Sequence, residues 1–205
     1  MDVPKDNWEI DPQRTAVVVI DMQRFLLDPD SPRNTPGARD LVPKINELND
    51  MCRRLGMPVI WVLTIWRPDM SDIGLLKDFR PEVYSEWWSY EGKKGSELYK
   101  DLDRKEGDYD VKKIMHSAFA PGSSSLEPLL RGLGRDSLII CGIATDVCVL
   151  TTTSGAHMQG FKTFVVGDLT TTFTQERQKV GLEVLNMHFA KVMTFEKVQR
   201  ELKQR

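Results

Sequence analysis

The sequence predicts a doubly wound α/β domain, with helices covering both faces of a parallel sheet. Three features carry that prediction. Six short apolar runs are spaced along the chain, helical patterns fill most of the gaps between them, and the first run, residues 16–20 (AVVVI), is unbroken by polar residues. Such a β-branched run reads as a strand buried on both faces, as parallel strands are. Alternation of strand and helix then implies right-handed crossovers within one open sheet.

Between 39 and 55, apolar Leu41, Ile45, Leu48, Met51, Cys52 and Leu55 recur at helical spacing, and Gly56 stands where a C-cap is expected. This is an amphipathic helix with a stop signal. Residues 58–65 (PVIWVLTI) give the second strand, 109–113 the third, 137–143 the fourth, 162–166 the fifth and 191–194 the sixth. Helices are expected over 124–133, 147–159, 175–188 and from Glu196 onward. The exception is 66–107, which holds three of the five tryptophans and shows little periodicity. A stretch this long inside a compact domain is expected to be a lid or a contact surface.

The 205 residues are read as one domain, because nothing in the alternation marks a boundary. Lys+Arg 28 against Asp+Glu 30 leaves no basic excess for neutralising phosphates, so no nucleic-acid partner is expected. The apolar runs are too short to span a bilayer and the N-terminus is acidic and polar, so neither a membrane anchor nor a signal peptide is expected. Cys52, Cys141 and Cys148 are odd in number and lack CxxC spacing, which points to a reduced chain in the cytoplasm. The glycines of RGLGRDS at 131–137 precede a strand instead of following one, so a dinucleotide cofactor is not expected there.

Ligands of open α/β sheets bind outside the carboxyl ends of the strands. Strand one exits at Asp21, strand three at Lys113, and strand four into GIATDVC ending at Cys148. Near the start of a helix, Cys148 would have its thiol pKa lowered by the helix dipole and unpaired N–H groups. Asp21 would serve as general base, Lys113 would hold Asp21 ionised, and backbone N–H groups of the turn, including that of Cys148, would receive an oxyanion. Each residue also has an ordinary structural reading. A cysteine near a helix start is a common small core group, Asp168 matches Asp21 at another strand exit, and lysines such as Lys112 and Lys113 are mostly solvated. Cys52 and Cys141 read as core thiols.

The combination is more specific than its parts. The segments VVVIDMQRF, KIMHSAF, LIICGIATDVCVLTTTSGAHMQGF and VVGDLT, in that order, resemble the isochorismatase-like cysteine hydrolases from Thr15 to about Met193. The resemblance implies a three-layer α/β/α domain with a six-stranded parallel sheet in the order 3-2-1-4-5-6. It also implies a catalytic triad of Asp21, Lys113 and Cys148, with Lys113 preferred over Lys112. It further implies a cis Ile143–Ala144 peptide that turns the Ala144 N–H toward the oxyanion site shared with Cys148. Strand three lies two strands from strand one, roughly 9.6 Å at ordinary spacing, so Lys113 would need its full length.

Metal-dependent members carry an aspartate and histidines after strand two. Here that position reads Thr64-Ile65-Trp66-Arg67-Pro68-Asp69, and His116, His157 and His188 lack ligand spacing, so no metal or other cofactor is expected. The segment RPDMSDIG resembles members acting on carbamoyl or ureido compounds; Arg67 would hold a substrate carboxylate or pair with Asp69 or Asp72. Gln23, Phe25, Trp66, Phe119 and Ile143 are the remaining candidate substrate contacts, and His116 either edges the pocket or sits on the surface. Trp87 and Trp88 would close the pocket or meet a second subunit, since members are usually homo-oligomers, dimers or tetramers. The expected activity is thiol-dependent cleavage of a C–N bond in a small amide, carbamoyl or ureido compound through a thioester. The alternatives are vinyl-ether hydrolysis, whose enzymes usually lack the cysteine, and a non-catalytic binding module.

Overall fold

In the computed structural model, which describes residues 4–86 and 88–203, the chain folds around a six-stranded sheet in the order β3-β2-β1-β4-β5-β6. The strands are β1 Thr15–Ile20, β2 Val59–Thr64, β3 Tyr109–Lys113, β4 Ser137–Ile143, β5 Lys162–Thr171 and β6 Lys191–Met193. Every pairing is parallel. The helices are α1 Arg24–Leu27, α2 Val42–Arg54, α3 Leu76–Phe79, α4 Leu126–Gly132, α5 Leu150–Met158, α6 Gln175–Val184 and α7 Phe195–Lys203. Among the described residues no helix is long and apolar enough to cross a membrane.

The period of two in β1 explains the three layers. Val17 and Val19 face one side, packing with Ile45, Leu48 and Cys52 of α2 and with Val198 and Leu202 of α7. Ala16, Val18 and Ile20 face the other, with Leu126 and Leu130 of α4 and Ala156 of α5. A strand whose residues are apolar on both faces has no other place than the middle of the sheet. Helix α2 stops as its composition demands: Gly56 takes φ 71°, and the N–H groups of Gly56 and Met57 close on the carbonyls of Arg53 and Cys52, a left-handed cap that glycine adopts at little cost.

Three boundaries differ from the sequence expectation. The helix expected over 147–159 opens with a π-wound turn, Thr145–Val149, before α5 begins. The helix expected over 175–188 ends at Val184 and passes into a second π-turn, Leu185–Phe189. Strand β5 runs on to Thr171, because its register shifts against β4 between Ile140 and Gly142 and pairing resumes at Thr170. Gly142 is the pivot of that irregularity: at φ 112° a side chain would be strained, and a Cβ would lie 2.1 Å from the Ile20 carbonyl oxygen. The first buried strand and the strand bearing the thiol loop can therefore close on each other only through glycine.

Residues 66–107 are irregular but packed. Trp66, Ile73, Val83, Trp88 and Tyr90 make a small core of their own, and Trp66 stacks on Trp88 at 5.7 Å between centroids. A single bridge from Gln23 to Leu98 ties the segment to the rest, and one from Trp66 to Tyr90 closes it on itself. Trp87 lies outside the described residues.

Candidate active site

Residues at the carboxyl ends of β1, β2 and β4 line one pocket, and the last residue of β3 reaches them by its side chain. Asp21, the first residue past β1, takes φ 51°, a left-handed conformation that aspartate tolerates better than most residues. Lys113, the last residue of β3, is level with Thr64 across the β2–β3 pair. Its side chain is wholly buried and runs over the short Thr64 side chain to reach Asp21, Nζ to Oδ2 at 2.9 Å. That path spans the two-strand gap.

Thr64 ties the pair together. Its hydroxyl accepts from Lys113 Nζ and donates to Asp21 Oδ1 at 2.9 Å, while its backbone N–H donates to the same Oδ1 at 3.0 Å. Cys148 arrives from the π-turn with its sulfur 3.5 Å from Lys113 Nζ and 3.6 Å from His116 Nδ1. Acid, amine and thiol are thus in mutual reach, drawn from three strand ends. The Ile143–Ala144 peptide is cis, and Ala144 and Cys148 line the pocket beside Asp21 and Thr64.

Electrostatics correct one expectation. The thiol of Cys148 is pushed up to about 12, not lowered. Burial is the main cause; Lys113 opposes it, and the Asp21 carboxylate adds to it. Desolvation of the sulfur outweighs what the neighbouring ammonium offers. The resting residue is therefore a thiol. Burial by itself would lower Lys113, but the Asp21 carboxylate and the Cys148 sulfur outweigh it and the pKa is raised. Burial, with Lys113 next, lowers His116, so its ring is neutral at neutral pH.

The enclosed space and its mouth, open solvent included, together amount to about 550 Å³. Phe25, Trp66 and His116 line it, as does Trp88 from the irregular segment. Four candidate contacts do not. Gln23 is buried behind the pocket, where its amide donates to the Thr64 carbonyl, Ser89 Oγ and the Ser96 carbonyl and its Oε1 accepts from the Thr64 N–H. It holds Thr64, not substrate. Ile143 is wholly buried in the core. Phe119 packs edge-on against Phe161 at 5.3 Å and covers Gly155, where a Cβ would meet it at 2.7 Å. Arg67 points away into solvent and pairs with Asp69 at 3.3 Å, while its backbone N–H donates to Asp72. Asp168 is spent on capping α7 through the Phe195 N–H.

Sequence reasoning missed Thr64, although it stands at a strand exit like Asp21. It also missed Arg33, Arg80, Phe173 and Arg177, which line the pocket from loops and a helix start that carry no periodic signal. Among the described residues no three His, Cys, Asp or Glu side chains converge as metal ligands would.

The isochorismatase domain model matches residues 15–197. The chain belongs to the isochorismatase family. The isochorismatase of Bacillus subtilis (strain 168) is 32% identical over 89% of this chain, which spans 56% of that protein's length. A probable isochorismatase of Pseudomonas chlororaphis is also 32% identical, over 94% of this chain and 88% of its own. In structure, a cysteine hydrolase from Pseudomonas syringae pv. phaseolicola 1448A superimposes with a TM-score of 0.91 at 27% identity, covering 100% of this chain and 99% of that one. An isochorismatase-family hydrolase is thereby the coarse function of this chain, on the six-stranded α/β fold described above.

Proposed function

We propose that the protein is a cysteine-dependent hydrolase of a C–N bond in a small amide, carbamoyl or ureido compound. The observation that carries this reading is the Cys148 sulfur 3.5 Å from a buried lysine that is itself paired with Asp21. A hydrolase that ignored the thiol would have no use for a cysteine in the pocket wall beside those two groups.

Since the resting group is a thiol, attack and proton transfer occur together. The sulfur forms a bond to the substrate carbonyl carbon as its proton passes to Asp21, and the carbonyl electrons move onto oxygen, which the Ala144 and Cys148 N–H groups receive. Collapse breaks the C–N bond, and Asp21 returns the proton to the departing nitrogen. Water then attacks the thioester and gives its proton to Asp21; the C–S bond breaks and the sulfur recovers that proton. Lys113 stays an ammonium throughout and holds the Asp21 carboxylate in place through their 2.9 Å contact.

An ammonia-release screen over small amides, ureido acids and carbamoyl compounds tests the reading beside the Cys148→Ala variant. Loss of at least about 10⁴-fold in kcat with an unchanged circular dichroism spectrum is expected. The names of the 32% identical relatives favour a second reading, vinyl-ether hydrolysis with Asp21 as the acid. Under that reading, Cys148→Ala would retain turnover of a vinyl ether and no amide would be consumed.

A further inference from the structure

The pocket is not neutral around its chemical centre. Its charged lining consists of one carboxylate and three guanidinium groups: Asp21 against Arg33, Arg80 and Arg177. Asp21 faces Lys113 on the floor, so no carboxylate of the lining itself is left to face the three guanidinium groups.

The arginines converge from three distant places in the chain. Arg33 follows α1, Arg80 follows α3 in the irregular segment, and Arg177 lies in the first turn of α6. Arg33 and Arg177 sit against the same ring, Phe173, with their Cζ atoms 4.5 and 5.2 Å from its centroid. Arg177 is anchored through Nε to Asp146 Oδ2 at 2.5 Å, and Asp146 is held in turn by the Thr172 hydroxyl. One edge of that guanidinium is thus fixed, which orients the Nη groups. The fields of Arg80 and Arg33 reach the His116 ring beside the thiol, where both act after burial and Lys113 to depress its pKa. Among the described residues Arg80 makes no ion pair with a carboxylate.

Arginines gathered at the mouth of an apolar pocket match a planar anion, which they bind through paired N–H groups. We propose that the substrate carries a carboxylate, held by Arg80 and the Nη groups of Arg177, while its carbamoyl or ureido carbonyl carbon lies at Cys148. Phe25, Trp66 and Trp88 enclose the short apolar link between the two ends. This assignment of substrate class rests on the C–N hydrolase reading, but the anion site has a readout of its own. Arg67, the residue the sequence offered for that carboxylate, has no part in it.

Iodoacetate and iodoacetamide alkylate a thiol by the same displacement of iodide and differ in one negative charge. The ratio of their rates at Cys148, divided by the same ratio for free cysteine, reads the rim directly. We expect that quotient to be about ten in the wild-type protein and to fall toward one in Arg80→Gln. Malonate, but not malonamide, slows iodoacetamide in the wild-type protein, a measurement that needs no variant to fold. A wild-type quotient of one or less, or equal protection by malonate and malonamide, overturns the anion site. Steady-state rates on N-carbamoylglycine and its neutral amide separate this failure from that of the hydrolase. Turnover of both at equal kcat/KM leaves the hydrolase and removes the anion site. A high quotient with no turnover of any C–N compound upholds the anion site and removes the hydrolase.

Discussion

The floor and the rim of the pocket are built on different principles. The floor is made at strand ends, where parallel pairing fixes the spacing. Thr64 is level with Lys113 by register, Gly142 lets β4 close on β1, and the buried Gln23 amide locks the Thr64 backbone. Its polar groups are desolvated and mutually satisfied. The rim is made of loops and helix starts, with Arg33 and Arg177 resting on the Phe173 ring and Arg177 tied to the body by its ion pair to Asp146. On the proposed reading the floor supplies chemistry that tolerates little displacement, whereas the rim supplies recognition that can vary without disturbing the sheet.

The sharpest way to probe that contrast is to uncouple proton transfer from thiol ionisation on the floor. Asp21→Asn should lower turnover by about 10³-fold by removing the base. The same change should raise the rate of alkylation by iodoacetamide at pH 8, because the carboxylate is one of the groups holding the thiol proton in place. In the wild-type protein a thiol pushed up to about 12 gives an alkylation rate that climbs through pH 9 and 10 without levelling. A plateau near pH 8 would contradict the electrostatic account of the floor.

Lys113→Met should come next. It leaves the Asp21 carboxylate buried and unpaired, at a cost of about 3–5 kcal/mol, read as a lower urea midpoint at pH 7. The same variant should slow alkylation, since Lys113 opposes the rise in the thiol pKa. Stability within about 1 kcal/mol of wild type would mean that the floor relaxes as freely as the rim.

The smallest effect belongs to a residue outside both regions. Arg67→Gln should change KM for N-carbamoylglycine by less than about twofold, as its guanidinium is solvent-exposed and paired with Asp69. A tenfold rise would move the carboxylate site away from Arg80 and Arg177.

Much of the floor was legible in the sequence. An unbroken β-branched run could only be a central strand; the strand-end rule then gathered Asp21, Lys113 and Cys148 among other candidates, and the family resemblance singled them out. Phe119, Ile143 and Gln23 were misread as contacts because motif proximity does not say which way a side chain points. Phe119 turns to Phe161 and Ile143 into the core, while Gln23 lies one layer behind the pocket. The lowered thiol expected of a helix start failed because burial dominates.

By itself the sequence determined the strands and helices, their order along the chain and the residues at the strand ends, because hydrophobic periodicity is a local property that burial enforces. Only the tertiary structure decided that Thr64 bridges the ion pair, that Arg67 turns outward and that Arg33, Arg80 and Arg177 share one mouth. Those relations join residues up to 144 positions apart, 33 to 177, through loops whose courses follow packing and not pattern.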